Sequence, residues 1–407
     1  MFTRWVQRRV QSLLEGFPVV FLQGARQVGK TTLAQQLIQQ GLLSRYYTMD
    51  DPLIYASASQ DPMGFAESLP AGSVLDEVQR VPELFRVLKM RVDAHRQSGM
   101  FLLTGSANPL TVPKVSESLA GRMAIATLYP LSQGEIEGQQ EEWLQRVFSG
   151  ETSVSSQPEP MGLGLRLLRG GYPSVVELGA EARSEWYRAY LATLLTRDVQ
   201  QIADVERLVE FPRLLQLLAT LSTRLLNVAS LSRETGIPQT TLQRYLALLE
   251  TLFLIYRIPA WYANLGKRLL KTPKILLNDT GLCAYLLNAN EERIEQDPLL
   301  RGQLVETFVG LEILKKIEFT GHRMSLFHLR TDKGLEMDYV LENASGELVG
   351  VEVKASRTLT KSDFKSLEAF REMVGERFVA GVVLYLGSET LPFGQRLWAQ
   401  PLSALWS

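Results

Sequence analysis

One stretch constrains this chain more than any other. Gly24-Ala25-Arg26-Gln27-Val28-Gly29-Lys30-Thr31 fits G-x-x-x-x-G-K-[ST], directly after the apolar run Val19 to Gln23 and directly before Thr-Leu-Ala-Gln-Gln-Leu, which has helical character. A triphosphate needs several donors converging at once. A glycine-bearing loop between a strand and a helix supplies them, because its backbone N–H groups turn inward and the helix N-terminus adds its positive end. The expected cradle is Gly24, Ala25, Arg26, Gln27, Val28, Gly29, Lys30, Thr31 and Thr32, with ATP as ligand. Lys30 would reach the β and γ phosphates and Thr31 would ligate Mg²⁺.

Hydrolysis asks for more: a carboxylate to hold the metal and a group to orient the attacking water. Ser73-Val74-Leu75-Asp76-Glu77 ends a short apolar run with both, Asp76 as metal holder and Glu77 as base. Thr104, closing Phe101 to Thr104, is placed either to sense the γ phosphate or simply to end its strand. Arg122, in Gly121-Arg122, is either a surface arginine or a stabiliser of developing charge, in its own subunit or in a neighbouring one.

Around these motifs, short apolar runs alternate with amphipathic stretches from Pro18 to Leu128, the pattern of an α/β unit with a mainly parallel sheet. Strands are expected at Val19 to Gln23, Tyr46 to Met49, Ser73 to Leu75, Phe101 to Thr104 and Ala124 to Leu128, with helices starting near Lys30, Pro82 and Glu117. The stretch Phe148 to Gly164 lacks periodicity and reads as a linker. Helical periodicity then dominates from Arg183 to about Leu287, and a further α/β segment follows from Gly302, with strands around Ser325 to Arg330, Met337 to Glu342 and Val349 to Lys354. The expected division is 1–135 for the ATP-binding domain, 136–180 for a lid or linker, 181–300 for the helical region and 301–407 for the last domain.

Composition narrows the class. A chain of 407 residues is long for one domain, and 45% apolar with 21% charged residues suits packed cores. No apolar run approaches the roughly 18 residues of a spanning helix, and no leader-like segment follows Met1 to Arg9, so the cytoplasm is the expected compartment. A single cysteine, Cys283, and three scattered histidines, His95, His322 and His328, argue against a disulfide or a histidine-rich metal site. The net charge of −1 hides a local excess: between Arg224 and Lys274 stand eight basic residues (Arg224, Arg233, Arg244, Arg257, Lys267, Arg268, Lys271 and Lys274) and only Glu234 and Glu250 as acids.

The runs Leu22 to Leu33, Leu75-Asp76-Glu77-Val78-Gln79, Leu103-Thr104-Gly105-Ser106 and Leu119-Ala120-Gly121-Arg122 resemble the prokaryotic AAA-type ATP-binding proteins, in which the ATPase precedes a large domain of unknown function. Gly170-Gly171-Tyr172-Pro173, Arg197-Asp198, Lys271-Thr272-Pro273-Lys274, Asp279-Thr280-Gly281-Leu282 and Glu352-Val353-Lys354 are similar to that second domain. The resemblance implies a RecA-like sheet and Mg-ATP binding, and it assigns no settled biological activity.

Two further patterns suggest what the remaining chain does. Ser230 to Leu246 reads as a short helix, a turn at Gly236 and Pro238, and a second helix whose Leu242, Tyr245, Leu246 and Leu249 share one face; Gln239, Thr240, Gln243 and Arg244 lie opposite. With a strand at Phe253 to Ile258 and a basic, aromatic segment of Trp261, Tyr262, Lys267, Arg268, Lys271 and Lys274, this is a winged-helix-like pattern that would bind DNA, or else dock a protein partner. Near the C-terminus, Glu352 and Lys354 share a strand face, and a turn at Ser345-Gly346 would bring Asp338 beside them. This resembles the PD-(D/E)XK nuclease core, a restriction-endonuclease-like α/β fold. The resemblance implies that Asp338 and Glu352 hold Mg²⁺ and that Lys354 aids the attacking water, with Glu306 as a further metal-binding acid. An inactive remnant kept for its fold is the alternative. The functional expectation is an ATPase acting on nucleic acid, possible as a homo-oligomer and with no membrane partner; the alternative is a nucleotide-controlled switch or scaffold that binds a protein.

Overall fold

The computed structural model describes residues 2–107, 119–151, 162–194, 211–264, 266, 268, 271–332 and 334–406. They form two compact units: Met1–Pro130 with Thr251–Phe253 and Glu318–Thr320, and Leu131–Glu250 with Leu254–Ile317 and Gly321–Ser407.

In the first unit, β1 (Val19–Gln23), β2 (Arg45–Thr48), β3 (Ser73–Asp76), β4 (Phe101–Gly105) and β5 (Met123–Thr127) form a parallel sheet in the order β2-β3-β4-β1-β5. β1 and β4 are buried at every position, as strands covered on both faces must be. The core joins Phe21, Leu75, Leu103 and Met49 to Phe85, Leu88 and Val92 of the helix Glu83–Ala94. Each expected strand is present within two residues of its expected bounds. Three helices were not anticipated, Val6–Gly16, Pro52–Gln60 and Pro62–Ser68, and the signal of the last two was local. Asp51 and Asp61 each cap a helix whose first residue is proline, which has no N–H to lose there. The helix expected near Glu117 would start outside the described residues.

The parallel arrangement sets the site. Leu22 is paired with Thr104 and Leu75 with Leu103, so the carboxyl ends of β1, β3 and β4 lie side by side. In open α/β sheets that edge is where ligands bind.

The second unit holds α1 (Val228–Thr235) and α2 (Gln239–Thr251), joined through Gly236 in the left-handed region. Leu242, Tyr245, Leu246 and Leu249 are buried, while Gln239, Thr240, Gln243 and Arg244 are exposed, as the helical period predicts. The following strand is shorter than expected: β6 (Ile255–Ile258) pairs antiparallel with β7 (Lys274–Leu277). Its last α/β segment is a six-stranded sheet in the order β12-β13-β11-β10-β9-β8, comprising β8 (Met324–Arg330), β9 (Glu336–Asn343), β10 (Leu348–Lys354), β11 (Phe378–Tyr385), β12 (Leu391–Gly394) and β13 (Leu397–Pro401). β10 and β11 run parallel, connected through the helix Lys365–Val374. The long helix α3 (Pro298–Thr320) carries a buried ionic cluster in which Lys316 Nζ lies 3.0 Å from Glu141 and 3.3 Å from Glu312.

The basic, aromatic segment is tied into the sheet, and most of its charges are answered by acids. The Trp261 N–H donates to the His328 carbonyl at 2.7 Å and the His328 N–H to the Pro259 carbonyl at 3.0 Å, so this stretch extends the sheet beyond its edge strand β8. Trp261 is buried with its ring on Phe370. Arg268 is ion-paired with Glu342, Lys271 with Asp332, Lys274 with Glu306 and Arg257 with Glu250. Lys267 lies outside the described residues; Arg224, Arg233 and Arg244 are exposed.

Candidate functional site

The phosphate-binding loop folds back on the end of β5. A Cβ at Gly24, where φ is +152°, would collide with the Leu128 carbonyl oxygen, so only glycine lets the loop pass this close. Gln27 and Gly29 also have positive φ, turning the loop toward the following helix, Lys30–Gln39. No side chain caps that helix, which leaves its N-terminal dipole directed at the loop. Lys30 is buried and its Nζ donates to the Gly24 and Ala25 carbonyls at 2.9 Å each. Arg4 braces the loop from outside the motif: its two terminal nitrogens donate to the Val28 and Tyr129 carbonyls, each at 2.6 Å.

Beside the loop, the Asp76 carboxylate accepts from three hydroxyls, those of Thr31 at 2.9 Å, Tyr46 and Thr104. Burial and the contact with Asp76 push the Tyr46 phenol well above its usual range, so it is a permanent donor. Thr104 also accepts from the Glu77 N–H at 3.3 Å. Glu77 has a φ of +54°, rare for a residue with a side chain, and its carboxylate is held by Gln79 and by the Ser106 hydroxyl at 3.2 Å. Loop, Thr31, Asp76, Glu77 and Thr104 are therefore gathered at one edge of the sheet. The donor set suits Mg²⁺: a hydroxyl and a carboxylate in contact, both hard oxygen ligands, beside the loop.

Arg122 is not part of this gathering. It precedes β5, where Met123 pairs with Val19 at the start of β1, and its carbonyl accepts from the Val19 N–H. At about 3.3 Å per residue the loop begins on the order of 16 Å further along the strand, beyond the reach of an arginine side chain. Its guanidinium forms a two-pronged pair with Asp93, with Nη2 3.0 Å from one oxygen.

In the second unit, β9 and β10 are antiparallel with Val351 opposite Tyr339, and continuing that register sets Glu352 opposite Asp338. The Val353 N–H donates to Asp338 at 2.9 Å, and Lys354 Nζ lies 3.6 Å from Glu352. Glu306, on α3, belongs to the same cluster. Burial pushes its carboxyl up to about 7, with Asp338 adding to the effect, and Glu352 is raised well above the carboxylate range by the same causes. The structure thus brings Glu306, Asp338, Glu352 and Lys354 together, with Lys274 of the basic, aromatic segment among them. Its Nζ donates to Glu306 at 2.6 Å and to the Asp338 carbonyl at 3.0 Å. Among the described residues, no group of three or more His, Cys, Asp or Glu side chains is arranged to hold a metal ion. An ammonium thus stands among the acids expected to hold Mg²⁺ here.

The motifs around Gly171 and Asp279 meet in the interior. The Asp279 carboxylate is buried and accepts from the Gly171 N–H at 2.7 Å, the Leu282 N–H at 2.8 Å and the Tyr187 hydroxyl at 2.9 Å. Asn278 donates to Tyr172 at 2.8 Å. This network ties three chain segments together and is fully enclosed. Arg197-Asp198 lies outside the described residues.

Family models match three stretches: an AAA domain over residues 16–137, a domain of unknown function (DUF8612) over 163–293 and a domain of unknown function (DUF4143) over 301–405. "Uncharacterized protein Rv2008c" of Mycobacterium tuberculosis and "Uncharacterized protein Mb2031c" of Mycobacterium bovis are each 31% identical over 396 residues, covering 97% of this chain and 82% of theirs. The chain belongs to their family. Within it, residues 16–137 match an AAA domain, and the P-loop described above lies inside that match. Among solved structures, the Walker-type ATPase PABY2304 of Pyrococcus abyssi is similar at 16% identity with a TM-score of 0.43, over 69% of this chain and 94% of that one, a likeness too loose to inform function. Among the described residues, no helix is long and apolar enough to cross a membrane.

Proposed function

We propose that this AAA protein hydrolyses ATP in a Mg²⁺-dependent reaction and uses the cycle to act on nucleic acid through its second unit. One observation supports the first part above all: Thr31 and Asp76 in contact at the edge of the sheet, with Glu77 next in sequence and Lys30 inside the loop. When bound, Mg²⁺ would offset charge on the β and γ phosphates. The loop amides and Lys30 bind and orient the triphosphate, Thr31 and Asp76 would hold the metal, and Glu77 accepts the proton of the attacking water as the bond to the ADP oxygen breaks. Thr104 positions Asp76 and Glu77 through its hydroxyl. Arg122, at the opposite edge, would serve only a neighbouring copy, so this role requires a homo-oligomer.

For nucleic acid, the supporting feature is the α1–α2 pair followed by the β6–β7 hairpin, a winged-helix-like order, with Gln239, Thr240, Gln243 and Arg244 exposed and Arg224 and Arg233 nearby in sequence. The partner would be DNA. A second reading, a nucleotide-controlled switch that docks a protein, is favoured by the ion pairs that Arg257, Arg268, Lys271 and Lys274 already make. The deciding assay is ATP turnover with single-stranded, duplex and branched nucleic acids over a range of salt. Stimulation that declines with salt is expected, and no change with any of them would leave the protein-docking reading.

A further inference from the structure

The carboxylate cluster of the second unit has its own cation. Lys274 opens β7 and is buried. Its ammonium donates to Glu306 at 2.6 Å and to the Asp338 carbonyl at 3.0 Å, lies 3.9 Å from the Asp338 carboxylate, and sits over the Tyr339 ring at 4.9 Å. Two carboxylates, a carbonyl and an aromatic face thus converge on one ammonium, while the third carboxylate, Glu352, faces Lys354. A divalent ion bound by Glu306 and Asp338 would lie within a few ångströms of that ammonium. Repulsion between them offsets a substantial part of what one carboxylate contributes.

We infer that Lys274 is a built-in counter-ion that takes the place of a divalent cation among Glu306, Asp338 and Glu352, so that the nuclease-like cluster is closed to metal. The cluster then serves the fold, and metal-dependent phosphodiester cleavage is not among the chain's activities. The lysine is also tied to the helix pair. β7 forms a bridge from Lys274 to Leu225, and the Ile275 N–H donates to the Arg224 carbonyl at 3.0 Å, so the strand that supplies the counter-ion is anchored just ahead of α1.

This inference rests on the nuclease-like reading of β9 and β10 and is independent of ATP or nucleic-acid binding. It is tested by Mn²⁺ binding to the full chain without nucleotide, followed by electron paramagnetic resonance, in the parent, Lys274→Met, Lys274→Ala and Lys274→Met combined with Asp338→Asn. Methionine keeps the aliphatic stem in place, which guards against a collapse that alanine alone could cause. The expected result is a site in Lys274→Met that is at least ~10-fold tighter than any Asp338-dependent binding in the parent, and its loss in the double variant. The inference is overturned if the parent binds Mn²⁺ as tightly as Lys274→Met through Asp338. It is equally overturned if the folded Lys274→Met chain, checked by its circular dichroism and melting transition, gains no site. ATP turnover in the same samples reports separately on the proposed function.

Discussion

Asp76 and Glu306 are both acidic groups near a set of candidate metal ligands, but they are held in opposite ways. Asp76 is surrounded by hydroxyl donors, from Thr31, Tyr46 and Thr104. Hydroxyls fix where a carboxylate points without cancelling its charge, so the attraction for a cation stays intact. Glu306 instead meets the ammonium of Lys274 at 2.6 Å, and its charge is answered within the chain. A count of acidic residues would score the two places alike; the partner's charge, not the acid, tells them apart.

The comparison can be broken most directly at the nucleotide site. Lys30→Ala is expected to abolish measurable ATP binding, and Glu77→Gln to bind ATP while turning it over ~10²–10³-fold more slowly, as loss of a general base implies. Titration calorimetry and steady-state turnover check both; equal turnover in parent and variants would remove the first half of the contrast. Next in size is the effect of the buried counter-ion on its surroundings. Burial first, and Lys274 second, push the His328 imidazole down to about 4. A base whose folded value lies below its ordinary 6.5 gives stability that is complete above about 6.5 and lost as pH falls toward 4. The parent is therefore expected to lose up to ~3 kcal/mol more than His328→Gln over that window, measured by denaturant unfolding at several pH values. Glu306 and Glu352, raised in the folded chain, act in the opposite direction, so the difference between parent and variant is the quantity to read. In Lys274→Met, the His328 resonance should titrate at higher pH; an unchanged midpoint would deny the lysine its electrostatic role. The smallest effect is expected from Tyr46→Phe, which removes one hydroxyl from Asp76 and should weaken the magnesium dependence of turnover by only a few-fold, since two donors remain.

What could be read from the sequence follows the range of the interactions. The loop, Asp76, Glu77 and the β-strands of the first sheet were legible because each is specified within about ten neighbouring residues. Tyr46 was seen only as part of a strand, since nothing near it in sequence shows that its hydroxyl meets Asp76, 30 residues away. The pairing of the basic segment was illegible for the same reason: the acids that answer Arg268, Lys271 and Lys274 are Glu342, Asp332 and Glu306, brought there only by the sheet and the long helix. Arg122 was recognised by its motif, but the sheet register that places it at the far edge depends on pairing between β1 and β5.

Arg4 carries a practical lesson. The AAA match starts at residue 16, yet the guanidinium that fastens Val28 to Tyr129 comes from twelve positions earlier. Trimming the polypeptide to the recognised ATPase core would leave the motif complete on paper and its backbone unbraced, so a weakly active truncation should be blamed first on that missing clasp.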